Sequence, residues 1–253
     1  MKNTTLSLMV RRSAAAVALF MGATLVPAAI AQAVSPVISE YHGGPAAGSF
    51  DVTNDSLSPL VVMIEPKSFS IDREGKGAFR ALDTGIKVTF SETSLRLPPK
   101  SQRTIFYKAY AESYPAWFSV YASFRGMPKE NHMNVELQLP HTVYLLGSDK
   151  AAKAVKGDLT FENLQVVDGT IKGTVHNVSS KMLRVDDVDV SEKGRGKETI
   201  GGFPLLPGGV HDFEVALSGD KKNVTVATNE EPAKVVAHYA TLSLESVVAD
   251  KRQ

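Results

Sequence analysis

The chain has 253 residues, 43% of them hydrophobic, no cysteine, and 28 Lys and Arg against 27 Asp and Glu, a formal net charge of +1. So even a balance carries none of the basic excess that nucleic-acid binding needs. With no cysteine, a small disulfide-stapled scaffold is excluded, and each folding unit must bury an apolar core of its own.

The N-terminus reads as an export signal. Lys2, Arg11 and Arg12 precede a small-residue apolar run from Ala14 to Leu25, followed by Pro27 and an Ala-x-Ala pattern ending at Ala31 or Ala33. A basic start, an apolar middle and a small-residue end form the three-part layout of a secretory signal peptide. Cleavage is expected after Ala33, so residues 1–33 are the signal peptide and the mature chain begins Val34-Ser35-Pro36. An uncleaved anchor helix is the alternative, which Pro27 and the small residues disfavour. The leader takes three cations and no acid with it, leaving 25 basic against 27 acidic groups. An exported chain without cysteine fits a bacterial envelope, and the expected location is the periplasm. No other segment is long and apolar enough to span a membrane.

After the signal, almost every run reads as strand and turn. Ser49–Thr53 alternates, Asn54-Asp55-Ser56 is a turn, and Leu60–Ile64 is a valine-rich apolar run, so a hairpin is expected there. Arg73-Glu74-Gly75-Lys76-Gly77 is a polar, glycine-rich connection, Ile86–Phe90 a strand, and Leu95-Arg96-Leu97-Pro98-Pro99-Lys100 leads into a strand over Arg103–Ala109. Ala116–Phe124 places Phe118, Val120, Ala122 and Phe124 on one face. Trp117 beside them reads as core or domain-rim packing. Gly126, Met127 and Pro128 then turn the chain into the clearest pattern in the sequence. Met133, Val135, Leu137, Leu139, Val143 and Leu145 are apolar, and Asn134, Glu136, Gln138 and Thr142 alternate with them. Pro140 cannot donate to a ladder, so this strand is expected to run along a sheet edge or change partners at that point. An open apolar edge is a template for a foreign strand, and soluble proteins normally blunt or cover one. From the pattern alone, two readings stay open: a surface for lending to a partner, or ordinary inward-facing core.

The Lys- and Ala-rich stretch 148–156 reads as a hinge between two domains, 34–147 and 157–253, with room for a short helical turn. Beyond it, Leu159–Val167, Thr170–His176, Leu183–Val190, Val210–Leu217, Asn223–Ala227 and Lys234–Leu244 read as strands. Asp168-Gly169 is a two-residue hairpin signal, and Pro207-Gly208-Gly209 repeats similar turn chemistry. Val52-Thr53-Asn54-Asp55-Ser56 is echoed by Val175-His176-Asn177-Val178-Ser179. The expected fold is all-β, two β-sandwich domains joined by a short hinge.

Three features together carry a resemblance: Asn54 after an early strand, Leu95-x-Leu97-x-Pro99 running into Arg103–Tyr107, and the strand Met133–Leu145. In these the chain resembles the periplasmic chaperones of the chaperone-usher pilus pathway, the PapD-like family, along nearly all of its mature length. The resemblance implies two immunoglobulin-like β-sandwich domains joined by a short hinge, and pilus-assembly chaperone function: the edge strand is lent to an incomplete pilus or fimbrial subunit, and the subunit is delivered to an outer-membrane usher. The implied donor side chains are Met133, Val135, Leu137 and Leu139. Burying four such groups contributes about 6–12 kcal/mol gross, before ordering and association costs. The family anchors the subunit's terminal carboxylate with an Arg and a Lys. Here Ile38 falls near the first position, and Thr142, nine residues past Met133, near the second. His141 and Thr142 are therefore the candidate anchor, with Arg103, Lys108 and Arg125 as charges that folding can bring close. A secreted structural or adhesive immunoglobulin-like protein, without pilin clients, is the competing expectation.

No enzyme chemistry is legible. The six histidines show no metal spacing on one element, and Asp186-Asp187-x-Asp189 lacks the glycine and terminal Glu of a calcium loop. Gly194-Arg195-Gly196-Lys197 lacks phosphate-loop spacing, and there is no Gly-x-Ser-x-Gly elbow. No catalytic residue, metal or cofactor is expected.

Overall fold

The structure is a computed structural model, described over residues 32–126, 135–148, 153–167, 170–192, 196–216, 234–239 and 242–247. The leader before Gln32, Met133, the Asp168-Gly169 pair and Asn223–Ala227 lie outside the described residues. Within them every regular element is a strand.

The first half contains β1 (Ala33–Ser35), β2 (Ile38–His42), β3 (Ala46–Asn54), β4 (Leu60–Ile71), β5 (Gly77–Ala81), β6 (Ile86–Phe90), β7 (Ser94–Leu97), β8 (Ser101–Ala111), β9 (Ala116–Gly126) and β10 (Glu136–Gly147). One sheet runs β1-β3-β8-β6. The other runs β2-β10-β9-β4-β5, with β7 also on β4. Phe50, Val52, Ile105, Phe118, Val120, Val143 and Leu145 fill the space between the two sheets. Such faces come from the period-2 alternation of the strands, which puts every second side chain inward.

The second half contains β11 (Leu159–Val167), β12 (Thr170–Asn177), β13 (Leu183–Glu192), β14 (Gly196–Leu205), β15 (Val210–Ala216), β16 (Lys234–Tyr239) and β17 (Leu242–Val247). Its sheets are β11-β12-β15 and β14-β13-β16-β17, closed over Ile171, Val175, Val185, Val188, Val235 and Tyr239. The molecule is therefore two immunoglobulin-like β-sandwiches in sequence.

Three expectations are corrected. The turn at Asn54 does not close a hairpin, because β3 and β4 belong to different sheets. Asn54, fully buried, donates from Nδ2 to the carbonyls of Ser58, Leu97 and Pro98 at 2.9, 3.2 and 2.9 Å, and its Oδ1 accepts from Ser56 N–H and Oγ–H. One side chain thereby satisfies the backbone of a corner where the chain changes sheet. Second, the run Lys234–Leu244 is two antiparallel strands, pairing Tyr239 with Leu242, rather than one. Third, β14 is an additional strand. Its glycines weaken the alternating signal, yet it pairs with β13 over its whole length.

The sandwiches touch through a small apolar cluster of Phe69, Tyr144 and Leu206, with Trp117, Leu146 and Met182 beside it. Trp117 Nε1–H donates to the Phe69 carbonyl at 2.8 Å. The β4–β5 turn adds a polar clasp. Arg73 donates through two nitrogens to the two Asp212 oxygens, both at 2.9 Å, and Asp212 N–H donates to the Arg73 carbonyl. The Arg73 guanidinium and then the Thr174 hydroxyl hold the Asp212 carboxyl below its ordinary pKa.

Candidate functional site: an edge strand covered along half its length

The strand of strongest alternation, β10, has β9 on one side from Glu136 opposite Arg125 to Leu145 opposite Ala116. On the other side β2 joins it in parallel only from Thr142, opposite Ile38, onward. Glu136–His141 therefore has an open edge among the described residues. Thr142 N–H donates to the Val37 carbonyl. Two residues earlier, Pro140 turns its hydrogen-free nitrogen to the same side, at the open edge where no donor is required. Proline thus sits at the change of partner that the sequence predicts.

Burial rises steadily along the inward face. Val135 is 69% exposed and Leu137 38%. Leu139 is half-buried against the core, and His141, Val143 and Leu145 are wholly enclosed. On the other face Arg125 and Glu136 form an ion pair at 2.8 Å, and the hydrogen bonds from Gln138 and then Arg125 lower the Glu136 pKa.

His141 lies inside the sandwich rather than at its surface. Its Nδ1 is 2.7 Å from the Pro36 carbonyl, which can only accept, so Nδ1 carries the hydrogen. Nε2 then accepts from Tyr107 Oη at 3.0 Å, and Tyr107 Oη is 2.9 Å from Tyr41 Oη. The ring stacks on Phe50 with centroids 4.8 Å apart. Burial lowers the His141 pKa, partly offset by the Pro36 hydrogen bond. Burial, reinforced by the Tyr41 hydrogen bond, raises that of Tyr107. A neutral imidazole enclosed in this way fastens β10 to the opposite sheet where its edge coverage begins, and it offers no cation to a ligand.

Thr142 and Ile38, the two positions reached by counting, are direct cross-strand partners, and neither is ionic. Arg103 is paired with Glu92 on the opposite sheet at 2.7 Å, and Lys108 is on that same sheet. The cation that folding does bring to the Thr142 row is Lys67. Thr142 pairs with Ser119 of β9, and Ser119 pairs with Lys67 of β4, so all three share one face about 10 Å across. Lys67 Nζ is 3.1 Å from Glu65 and 5.5 Å from the Tyr121 ring centroid. Sequence reading missed Lys67 because it is 75 residues from Thr142 and only the sheet order aligns them.

The arrangement is that of a two-sandwich immunoglobulin-like protein presenting one apolar, partly uncovered edge strand. Solved structures with this fold include the class 5 fimbriae chaperone CfaA, which matches with a TM-score of 0.52 at 11% identity over 87% of this chain and 99% of that one. A chain in the chaperone–tip adhesin complex of CFA/I fimbriae biogenesis matches with a TM-score of 0.50 at 11% identity, covering 86% and 98%. The chain thus has the fold of the fimbrial chaperones. No family model and no curated sequence matches it.

Proposed function

We propose that this protein is a non-enzymatic periplasmic chaperone that holds a pilus or fimbrial subunit lacking a strand, by lending it the uncovered half of β10, and passes it to an outer-membrane usher. The observation that carries this reading is the open edge at Glu136–His141, with Leu137 exposed along it and Val135 exposed just before it. Backbone groups along the edge supply register, and the aliphatic face supplies burial. Met133 continues the same alternation in the sequence and would be the outermost donor. Each donor side chain fully buried contributes about 1.5–3 kcal/mol.

In this reading Lys67, with the Ser119 and Thr142 hydroxyls, takes the place of the family's anchoring pair and receives the subunit's terminal carboxylate. His141 positions the strand. Export by the N-terminal signal, cleavage after Ala33, and the division into domains at 34–147 and 157–253 about a hinge at 148–156 belong to the same proposal.

Co-expression with a candidate subunit from the same envelope tests it. Leu137→Asp is expected to abolish co-purification while leaving the circular dichroism spectrum unchanged. Subunit recovered at wild-type yield would refute strand lending. Lys67→Met is expected to weaken capture by about 10- to 100-fold, the effect of losing a hydrogen bond to a charged group. A subunit with an amidated C-terminus should not distinguish that variant from wild type.

A further inference from the structure

The second sandwich carries a side-chain cluster that strand lending does not use. Asp187 and Asp189 lie two residues apart on β13 and so share a face. The register sets His238 of β16 directly opposite Asp187, with Gly201 of β14 opposite it on the other side. One oxygen of each carboxylate and one ring nitrogen all lie within 4.8 Å of one another. His238 Nε2 is 3.2 Å from Asp189 Oδ2 and 3.8 Å from Asp187 Oδ1. Donors around a tetrahedral zinc ion, at 2.0–2.2 Å from it, sit about 3.4 Å apart, so the three atoms need only a small adjustment.

Each donor is also prepared from behind. His238 Nδ1 is 3.0 Å from Ser243 Oγ, the contact through which a ligating imidazole commits one nitrogen and frees the other. Thr199 Oγ1–H donates to Asp189 Oδ1 at 2.6 Å, leaving Oδ2 directed at the imidazole. Asp187 Oδ1 is shielded from solvent and has no hydrogen-bond partner, a costly condition for a carboxylate oxygen. The space beside Gly201 is open, since a Cβ there would meet nothing within 4 Å. Lys197 Nζ, 2.8 Å from Asp189 Oδ2, supplies the positive charge. It is 60% exposed and is free to swing into water. Lys197, then Thr199, holds the Asp189 carboxyl down to about 2.

We propose that Asp187, Asp189 and His238 form a binding site for a divalent transition-metal ion of the zinc class, with Lys197 as the internal cation that the metal displaces. One imidazole nitrogen and two carboxylate oxygens suit zinc, with the remaining position left to water. The ion would cross-link β13 to β16. Sequence spacing conceals the site because the histidine comes from a strand 49 residues beyond Asp189.

Calorimetric titration of zinc chloride alone into the full chain, freed of metal with a chelator, is expected to give one saturable site. Asp187→Asn and His238→Gln should weaken it by more than the about 10- to 100-fold that follows loss of an outer-shell partner. Thr199→Val should weaken it by about tenfold, and Lys197→Met should tighten it by removing the competing ammonium. His176→Gln, on the opposite sheet beside Glu162, should leave it unchanged. Absence of saturable binding, or wild-type affinity in folded Asp187→Asn and His238→Gln, overturns the proposal. Should either ligand variant fail to fold, Lys197→Met decides the matter, and unchanged affinity there overturns it equally.

Discussion

The two halves of β10 obey one sequence pattern and reach opposite ends. From Thr142 to Leu145 the strand has a neighbour on each side, and Val143 and Leu145 are wholly buried. From Glu136 to His141 it has one neighbour, and the same face emerges toward solvent at Leu137. Alternation therefore decides which face is apolar but not whether that face is covered. Coverage depends on β2, a strand five residues long that enters this sheet after Pro36 separates it from β1 in the other. The proposed function depends on β2 beginning where it does, opposite Thr142.

The largest expected effect tests this difference directly. Leu145→Ala should destabilise the first sandwich by about 2–5 kcal/mol, the cost of a cavity in a closed core. Leu137→Ala should cost no more than about 0.5 kcal/mol, as for a surface position. Urea denaturation of both variants measures the contrast, and equal losses would mean that the two halves are packed alike.

A smaller effect extends the comparison to the two sandwiches as wholes. Asn177 repeats the Asn54 corner, donating to the carbonyls of Lys181, Leu205 and Leu206 at 2.7, 3.1 and 3.0 Å and accepting from Ser179. Asn54→Ala and Asn177→Ala should each cost about 1–3 kcal/mol through buried carbonyls left unpaired. Thermal unfolding of the two variants should assign the losses to different sandwiches, in similar amounts.

The third effect is a slope with pH. Because burial lowers the His141 pKa, the folded chain excludes a proton that the unfolded chain binds below about pH 6.5. This contribution is complete above that value and is lost as pH falls toward the lowered folded pKa. His211, also lowered by burial, acts with the same sign. The stability of His141→Asn and His211→Asn, followed between pH 7 and pH 5, should show a flatter slope than wild type in each. An unchanged slope in His141→Asn would mean that the imidazole at the covered end of β10 titrates freely.

Strand content, the two-sandwich organisation and the edge position of Pro140 were legible in the residues, because each rests on local periodicity or on the missing proline donor. Ile86–Phe90 and Leu159–Val167 were readable to the residue. The hairpin expected at Asn54 was not, since the same Asx chemistry serves a turn within a sheet and a corner between sheets. Thr142 and Ile38 were located by counting, and the register makes them partners. His141 was readable as a group near the site but not as an enclosed one, because its enclosure comes from Phe50 and Tyr107 on other strands.

The residues by themselves therefore determined the alternating faces and the apolar composition of the edge strand, both set by neighbours a few positions apart. Tertiary structure alone decided that β2 covers only half of β10, that Lys67 shares a row with Thr142, and that His238 faces Asp187. Those outcomes are fixed by strand order and register, which join residues far apart in sequence through backbone pairing that no short pattern encodes.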